Sequence, residues 1–383
     1  MRNYKREKKE IRIWMTRVFC LLMIVLCGIN LLKKDKPFSE TENRMLEGKP
    51  ELSVGNVISG KYMEQYTSYQ SDQFVGRDFW ISMKTGVDYM LGKREENGVY
   101  NGKDHYLMEQ IKAPVSGAYE ENIKAMKQFK EKYPNILMKM MLVPNAANIL
   151  NEKLPALAVV KDQTKLFQKV EKDLKDSYEW LDLTKTMKKH KNEEIYYHTD
   201  HHWTTLGAYY AYQEFMKAKD EKELVEFQKY PVTNQFNGTL SSTSGYERNY
   251  KERINVYLPK EDSVEYVVEY REEQKKTTTV YNKEKLKEKD KYGMFFDGNH
   301  AVVDIKTTAA SDEKLLILKD SYANCFVPFL IPYYREIMMI DPRYYYGDLY
   351  ELLDSENYSE VLFLYNGNTF FEDNSISGVL DAG

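Results

Sequence analysis

Two short segments of this 383-residue chain hold side chains suited to covalent chemistry. The first is EIYYHTDHHWTTLGAYYAY, in which His198, Asp200, His201 and His202 stand within five positions. In an extended stretch alternate residues share a face, so Asp200 and His202 point one way and His201 the other. A carboxylate and an imidazole two residues apart on one face suit an oriented general base. Three histidines and an aspartate also suit a metal ion. That use ranks lowest, because the other histidines, His105, His190 and His300, form no further cluster with ligand spacing. The remaining use is packing, since buried histidines are often satisfied core residues. We expect catalysis and no metal.

The second segment is KLLILKDSYANCFVPFLIPYY. Lys314 to Leu318 reads as a short apolar strand, followed at once by Asp320-Ser321-Tyr322 and a helical run. A serine at a strand-to-helix turn presents Oγ at the carboxyl edge of a sheet and offers its own N–H to an oxyanion. Alone, such a serine is more often a helix cap; with an Asp-x-His in the same chain it becomes a candidate nucleophile. Beyond the last apolar strand, EVLFLYNGNTF, Asn366 and Asn368 are candidate oxyanion donors, with turn formation as their ordinary use.

These groups need a frame. Thr204 or Thr205 caps a predicted helix running to about Lys219, with Leu206, Tyr209, Tyr210, Phe215 and Met216 as its buried face. NGVYNGKDHYLM predicts a short hairpin around Gly102. Helices are predicted over 118–133 and 162–176, with a buried strand over 136–143 between them and short strand and helix pieces over 180–191. Strands alternating with helices predict a mostly parallel sheet covered on both faces. Residues 221–312 break the alternation and predict a β-rich insertion, with EEQKKTTT as a solvated hairpin tip. REIMMID supplies a further strand.

Residues 1–36 carry ten Lys/Arg against three acids, a net +7, while the remainder holds 45 basic and 56 acidic residues, a net −11. An acidic body repels phosphate backbones, so we expect no nucleic-acid partner. Residues 13–32 (IWMTRVFCLLMIVLCGINLL) are long enough to span the ~30 Å hydrocarbon core of a bilayer. More positive charge precedes this run than follows it, which predicts a cytoplasmic tail over 1–12 and an extracytoplasmic body. No small-residue cleavage site follows Leu32, and Leu26 stands where a lipidation box before Cys27-Gly28 wants a small residue, so we read an uncleaved signal anchor. Cys325 is the only cysteine outside the run, so the body has no intrachain disulfide available. Residues 33–96 are polar and helical in pieces. FSETENR reads as a helix start with a surface turn, and the aromatic residues of 61–93 read as core.

The motifs FSETENR, DQFVGRD, NGVYNGKDHYL, LVPNAANILNEKLP, TDHHWTTLGAYYAY, FNGTLSSTSG, FFDGNHAVVDI, LKDSYANCFVPFL, IDPRYY and LFLYN together resemble the DHHW proteins, over about residues 37–370. That family looks like a relative of the alginate O-acetyltransferases in the SGNH-hydrolase-like superfamily. The resemblance implies an α/β three-layer sandwich with a central parallel sheet over 97–383, carrying the β-rich insertion, behind one N-terminal transmembrane helix. It implies Ser321 as nucleophile, His202 as base and Asp200 as its orienting partner. Asn366 or Asn368 would line the oxyanion hole, and Tyr322, Arg343 and Trp203 are further oxyanion or substrate candidates. The superfamily has a glycine before Asp-Ser where this chain has Lys319. The implied function is a single-pass, membrane-anchored O-acyltransferase that O-acetylates a cell-envelope polysaccharide or exopolysaccharide. It would use no cofactor, its acyl donor being supplied by a membrane-bound O-acyltransferase partner. The same triad would serve a carbohydrate esterase, and a non-catalytic glycan-binding scaffold of an export complex is the reading from another class.

Overall fold

The computed structural model describes residues 2–39, 41–42, 44–261 and 264–381. They form two compact units, Met1–Lys93 and Arg94–Gly383.

The first unit begins with α1 (Arg2–Leu32), whose segment Lys8–Leu32 is long and apolar enough to cross a membrane and has no buried residue. Where a helix start was expected, β1 (Phe38–Ser39) pairs instead with β2 (Arg44–Met45) in a two-rung hairpin; Glu40 and Asn43 lie outside the described residues. Arg44 and Arg77 hold this turn through Asp72 and Glu42. Three helices follow, α2 (Val54–Ile58), α3 (Lys61–Asp72) and α4 (Arg77–Met90). The expectation that their aromatic residues are core is corrected here: Phe79, Trp80 and Tyr89 are exposed.

The second unit opens with β3 (Glu95–Glu96), β4 (Val99–Asn101) and β5 (Leu107–Glu109), the hairpin at Gly102 forming the β4–β5 turn. α5 (Ala118–Lys132) leads into β6 (Leu137–Val143), and α6 (Ala146–Ile149), α7 (Gln163–Leu174), β7 (Glu179–Trp180) and α8 (Leu183–Lys189) follow. α9 (Thr205–Ala218) is capped by Thr204, whose side chain accepts from the Gly207 N–H. Its buried face differs from the expected one. Ala208, Ala211, Tyr212, Phe215 and Met216 are buried, whereas Leu206, Tyr209 and Tyr210 are only partly covered. A helix laid on a sheet brings its small residues closest, and here Gly207 abuts the Ile195 carbonyl.

The β-rich stretch divides in two. β8 (Phe227–Phe236) and β9 (Glu252–Pro259) make a separate antiparallel ribbon enclosing α10 (Thr239–Ser244). β10 (Tyr266–Tyr270), β11 (Lys275–Thr277) and β12 (Val302–Thr307) instead extend the main sheet with antiparallel strands. β13 (Lys314–Lys319), β14 (Glu336–Ile340), α11 (Leu349–Ser355), β15 (Glu360–Asn366), α12 (Gly367–Glu372) and α13 (Ser375–Leu380) complete the chain.

The eight-stranded sheet runs β11-β10-β12-β14-β13-β15-β6-β7 and is parallel from β14 to β7. Its central strands are continuous apolar runs because both faces are covered. Alternate residues serve two cores. Met141, Leu315, Ile317, Ile337 and Leu362 face one core with Trp203, Tyr212 and Phe215. Met140, Leu316, Leu318, Met338 and Phe363 face the other with residues of α5, α7, α11 and α13. This is an α/β three-layer sandwich. Its carboxyl edge, the usual place for chemistry in such sheets, carries Ser321 after β13, Asp341 after β14, Asn366 at the end of β15 and Asn145 after β6.

Candidate active site

Asp200, His202 and Ser321 come together in a single relay. Asp200 Oδ1 lies 2.6 Å from His202 Nδ1, and His202 Nε2 lies 2.7 Å from Ser321 Oγ. An ionised carboxylate can only accept, so Nδ1–H donates to Asp200 and Nε2 is left to accept the Ser321 hydroxyl. Asp200 and His202 are buried, and Ser321 is partly open to solvent.

The pairing arises differently from the strand-like alternation expected. Residues 199–202 are a succession of bends. Asp200 Oδ1 also accepts the His202 backbone N–H at 3.0 Å, a side-chain turn that folds the carboxylate back onto the imidazole two residues on. His201 consequently does not face away. Its ring lies against His202 with centroids 3.9 Å apart, and its Nδ1 stands 2.8 Å from Thr239 Oγ1.

Thr239 was not among the expected site residues, yet it supplies both donors to the other Asp200 oxygen: its N–H at 2.8 Å and its hydroxyl at 3.0 Å. Because that hydroxyl donates to the carboxylate, His201 Nδ1–H must donate to it. Gly238 allows the approach, since a Cβ there would stand 2.5 Å from Asp200 Oδ2. Glu252 anchors the same bend by accepting the His198 and Thr199 N–H groups. The legible signal was Gly238-Thr239 within FNGTLSSTSG, although nothing in its spacing points to Asp200. Tyr292 is the other unforeseen member. Its ring stacks on His202 at 3.8 Å and 14°, and its hydroxyl donates to the Ser321 carbonyl at 3.1 Å.

Burial, and next the charge of His201, hold the His202 imidazole down to about 4 against the opposing pull of Asp200. Burial alone would raise the Asp200 carboxyl; the facing histidines and the bonds from His202 and Thr239 outweigh it and hold the group well below the ordinary range. The resting site is a carboxylate beside a neutral imidazole, the state a general base requires.

The expected oxyanion and substrate residues separate on geometry. Ser321 N–H takes no acceptor among the described residues, whereas Tyr322 N–H is spent on Asp320 Oδ1. β15 pairs with β13 up to Lys319 and Leu364, and just beyond it the Asn366 N–H donates to Asp320 Oδ2 at 2.8 Å, beside Ser321. Asn366 Oδ1 accepts from Asn145 Nδ2 and from Asn368 N–H, and its amide has one long contact, 3.4 Å to the Val143 carbonyl. Asn368 uses both amide hydrogens on Glu109 and the Gln110 carbonyl, leaving none for an oxyanion. Tyr322 is buried with its hydroxyl donating to the His201 carbonyl, and Trp203 is buried with Nε1 donating to the Tyr322 carbonyl at 3.0 Å. Both act as struts between the two chemical segments. Arg343 forks onto Asp341 at 2.8 and 2.6 Å and remains partly exposed. Lys319 is buried, reaching Asn324 at 3.0 Å and Asp341 at 3.5 Å.

Asp200, His201 and His202 also bring one ligand atom each within 4.8 Å of one another, as a metal site would. Both ring nitrogens of His202 and both oxygens of Asp200 are already engaged in the relay and its supports, so a cation there would have to break it.

The sandwich thus carries an aspartate-histidine-serine relay with its serine at the carboxyl edge of a parallel sheet. The chain belongs to the DHHW family, whose DHHW protein profile matches residues 97–340. Among solved structures it is similar to a DHHW family protein from Eubacterium siraeum DSM 15702, at 24% identity and TM-score 0.62, covering 74% of this chain and 95% of that one. It is similar to Bacillus cereus PatB1, solved with a sulfonyl adduct, at 20% identity and TM-score 0.59, covering 72% and 96%. The O-acetyltransferase domain of Pseudomonas putida AlgJ matches at 13% identity and TM-score 0.49, covering 75% and 99%. No curated protein matches the chain.

Proposed function

We propose that this protein is a membrane-anchored, extracytoplasmic O-acyltransferase that O-acetylates a cell-envelope polysaccharide or exopolysaccharide. The observation that carries the reading is the relay itself, Asp200 to His202 at 2.6 Å and His202 to Ser321 at 2.7 Å, with the imidazole neutral. In the first half-reaction Ser321 Oγ attacks the acyl carbonyl of the donor while His202 Nε2 takes the hydroxyl proton. The oxyanion forms against the Ser321 N–H, with the Asn366 amide as second donor. Collapse expels the donor's leaving group, which takes the proton from His202, and leaves an acyl-serine. In the second half a sugar hydroxyl gives its proton to His202 and attacks the ester carbonyl, and Ser321 leaves with the proton returned. Asp200 holds the tautomer and stabilises the imidazolium of each step. Arg343, partly exposed, would meet a polar group of donor or acceptor.

The apolar segment Lys8–Leu32 would hold the body at the membrane. The donor would come from a membrane-bound O-acyltransferase partner, and no cofactor takes part. The test is to incubate the detergent-solubilised chain with an activated acetyl ester and locate acetate by mass spectrometry. An adduct on Ser321 that is absent from Ser321→Ala supports the reading; no adduct, or an equal one in the variant, sinks it. Adding an oligosaccharide acceptor separates transfer, read as acetylated sugar, from esterase action, read as free acetate alone. Glycan binding unchanged by Ser321→Ala, without ester chemistry, would mark a scaffold.

A further inference from the structure

The first unit presents an apolar helix face beside the end of its membrane-type helix. On α4 the residues Phe79, Trp80, Met83, Val87, Met90 and the following Leu91 fall within a 120° arc at ~100° per residue. Every one of them is exposed, Met90 and Leu91 by 86% and 81%. The far side carries Asp78, Thr85 and Asp88 together with Ile81 and Tyr89, and Lys84 stands at the edge of the stripe, so the exposed aliphatic and Trp/Phe side chains gather on one face. A contiguous stripe of this kind is rarely left in water.

Hydrogen bonds within the unit fix the level of this helix relative to α1. The Val75 N–H, just before the Gly76 cap of α4, donates to Asn30 Oδ1 at 3.0 Å. Gln73 clasps Lys36 from both sides, accepting its N–H at 3.0 Å and donating to its carbonyl at 2.8 Å. Asn30 lies two residues before the last residue of α1, about 3 Å along the axis. The start of α4 therefore sits where the apolar helix ends, within the headgroup zone flanking a ~30 Å hydrocarbon core. Phe74 and Phe79 pack against Trp80 there, the amphipathic ring type that collects at membrane interfaces. A cavity of about 540 Å³ opens at the same place, lined by Lys33, Lys34, Lys36 and Arg77 against two acids, Asp72 and Asp78, and by phenylalanines.

We propose that α4 lies flat on the bilayer, its Phe79–Leu91 stripe sunk among the outer-leaflet headgroups and the lysine-lined cavity turned to the phosphates of acidic lipids. The claim rests on the reading of α1 as a membrane-spanning anchor. An interfacial helix binds through its buried apolar face, with basic groups adding attraction to anionic lipid. It would hold the first unit against the surface from which a membrane-borne acyl donor must be delivered.

The chain's four tryptophans make the test direct. Trp14 lies in α1, Trp80 in the first turn of α4, and Trp180 and Trp203 belong to the second unit. The full chain is placed in nanodiscs of phosphatidylcholine and phosphatidylglycerol whose acyl chains are brominated either near the headgroup or near the bilayer centre. Fluorescence is compared among wild type, Trp14→Phe, Trp80→Phe and Trp80→Phe with Met90→Trp. The inference requires that Trp80 lose emission mainly to the shallow bromines, and that the tryptophan at position 90 do the same. Quenching of Trp14 with position 80 or 90 untouched overturns it while leaving the anchor standing, as it would if another protein surface covered the stripe. Absence of quenching at Trp14 overturns the anchor reading itself, and the inference with it. Omitting phosphatidylglycerol should weaken quenching at position 80; no change would overturn the acidic-lipid part.

Discussion

Trp203 Nε1 donates to the carbonyl of Tyr322, 119 positions further along the sequence, and this bond at 3.0 Å joins the base segment to the nucleophile turn. Both residues are buried, so the carbonyl has no water to turn to. Trp203→Phe keeps most of the ring contact with Phe326 and removes the donor. It leaves the carbonyl only the weak Cys325 thiol donor at 3.8 Å, so it should cost about 1–3 kcal/mol, the penalty of an under-satisfied buried acceptor, and lower kcat as His202 and Ser321 drift apart. Denaturant melting with parallel ester hydrolysis checks this; an unchanged melting curve would refute the strut.

The histidines should part company. His202→Ala should lower activity by ~10³-fold or more, as loss of a triad base does, with the fold intact by circular dichroism. Asp200→Asn should also be severe, because the imidazole loses its tautomer and its counter-charge. His201→Gln removes one donor to Thr239 and should cost about 1 kcal/mol, roughly fivefold in rate. A chelator should leave the wild type active. Equal abolition by all three changes together with chelator sensitivity would make the site metallic.

Gly238 and Thr239 give a probe of Asp200 that leaves the relay residues untouched. Gly238→Ala forces a methyl against the Asp200 side chain, and a displacement of ~1 Å there should cost on the order of 10²-fold in kcat. Thr239→Val removes one of two donors to Oδ2 and should be milder. Steady-state kinetics on both variants, with KM near the wild-type value, is the expected pattern; a Gly238→Ala enzyme of normal kcat would contradict the packing.

The pH profile should carry the mark of the buried base. His202 is held down to about 4 by burial and His201, so kcat/KM should keep its plateau through pH 6 and fall only as the pH drops through about 4. Asp200 raises this value, and Asp200→Asn should move the acid limb lower still. Linkage has the matching sign. The unfolded chain takes up the proton near the ordinary ~6.5 and the folded chain only near 4, so stability should fall as pH drops through that window. An acid limb at an ordinary histidine value would contradict this.

Lys139 and Glu360 make a buried ion pair between β6 and β15, and Tyr334 donates to the other Glu360 oxygen at 2.7 Å. Lys139→Met leaves a buried carboxylate without its cation and should cost about 3–5 kcal/mol. Adding Glu360→Gln should restore much of that. If the single variant melts like wild type, the pair carries no such penalty.

Much of the fold is local in origin, which is why it was legible. Continuous apolar runs such as KLLIL and EVLFLY can only be strands covered on both faces. Thr204 caps its helix through its own side chain, and Asp200, His202 and Ser321 were marked by residue type beside a strand-to-helix turn. Tertiary structure decided what depends on distant partners. Asp200 and His202 meet through a side-chain turn rather than strand alternation, because Glu252 and Thr239 hold the bend from other segments. Lys139, odd within an apolar strand, is explained only by Glu360, 221 positions away. Asn368 matched the expected pattern for an oxyanion donor, yet Glu109 and Gln110 claim its amide. The aromatic residues of α4 looked like core because periodicity shows that one face of a helix is apolar; what that face meets is set by where the fold leaves the helix.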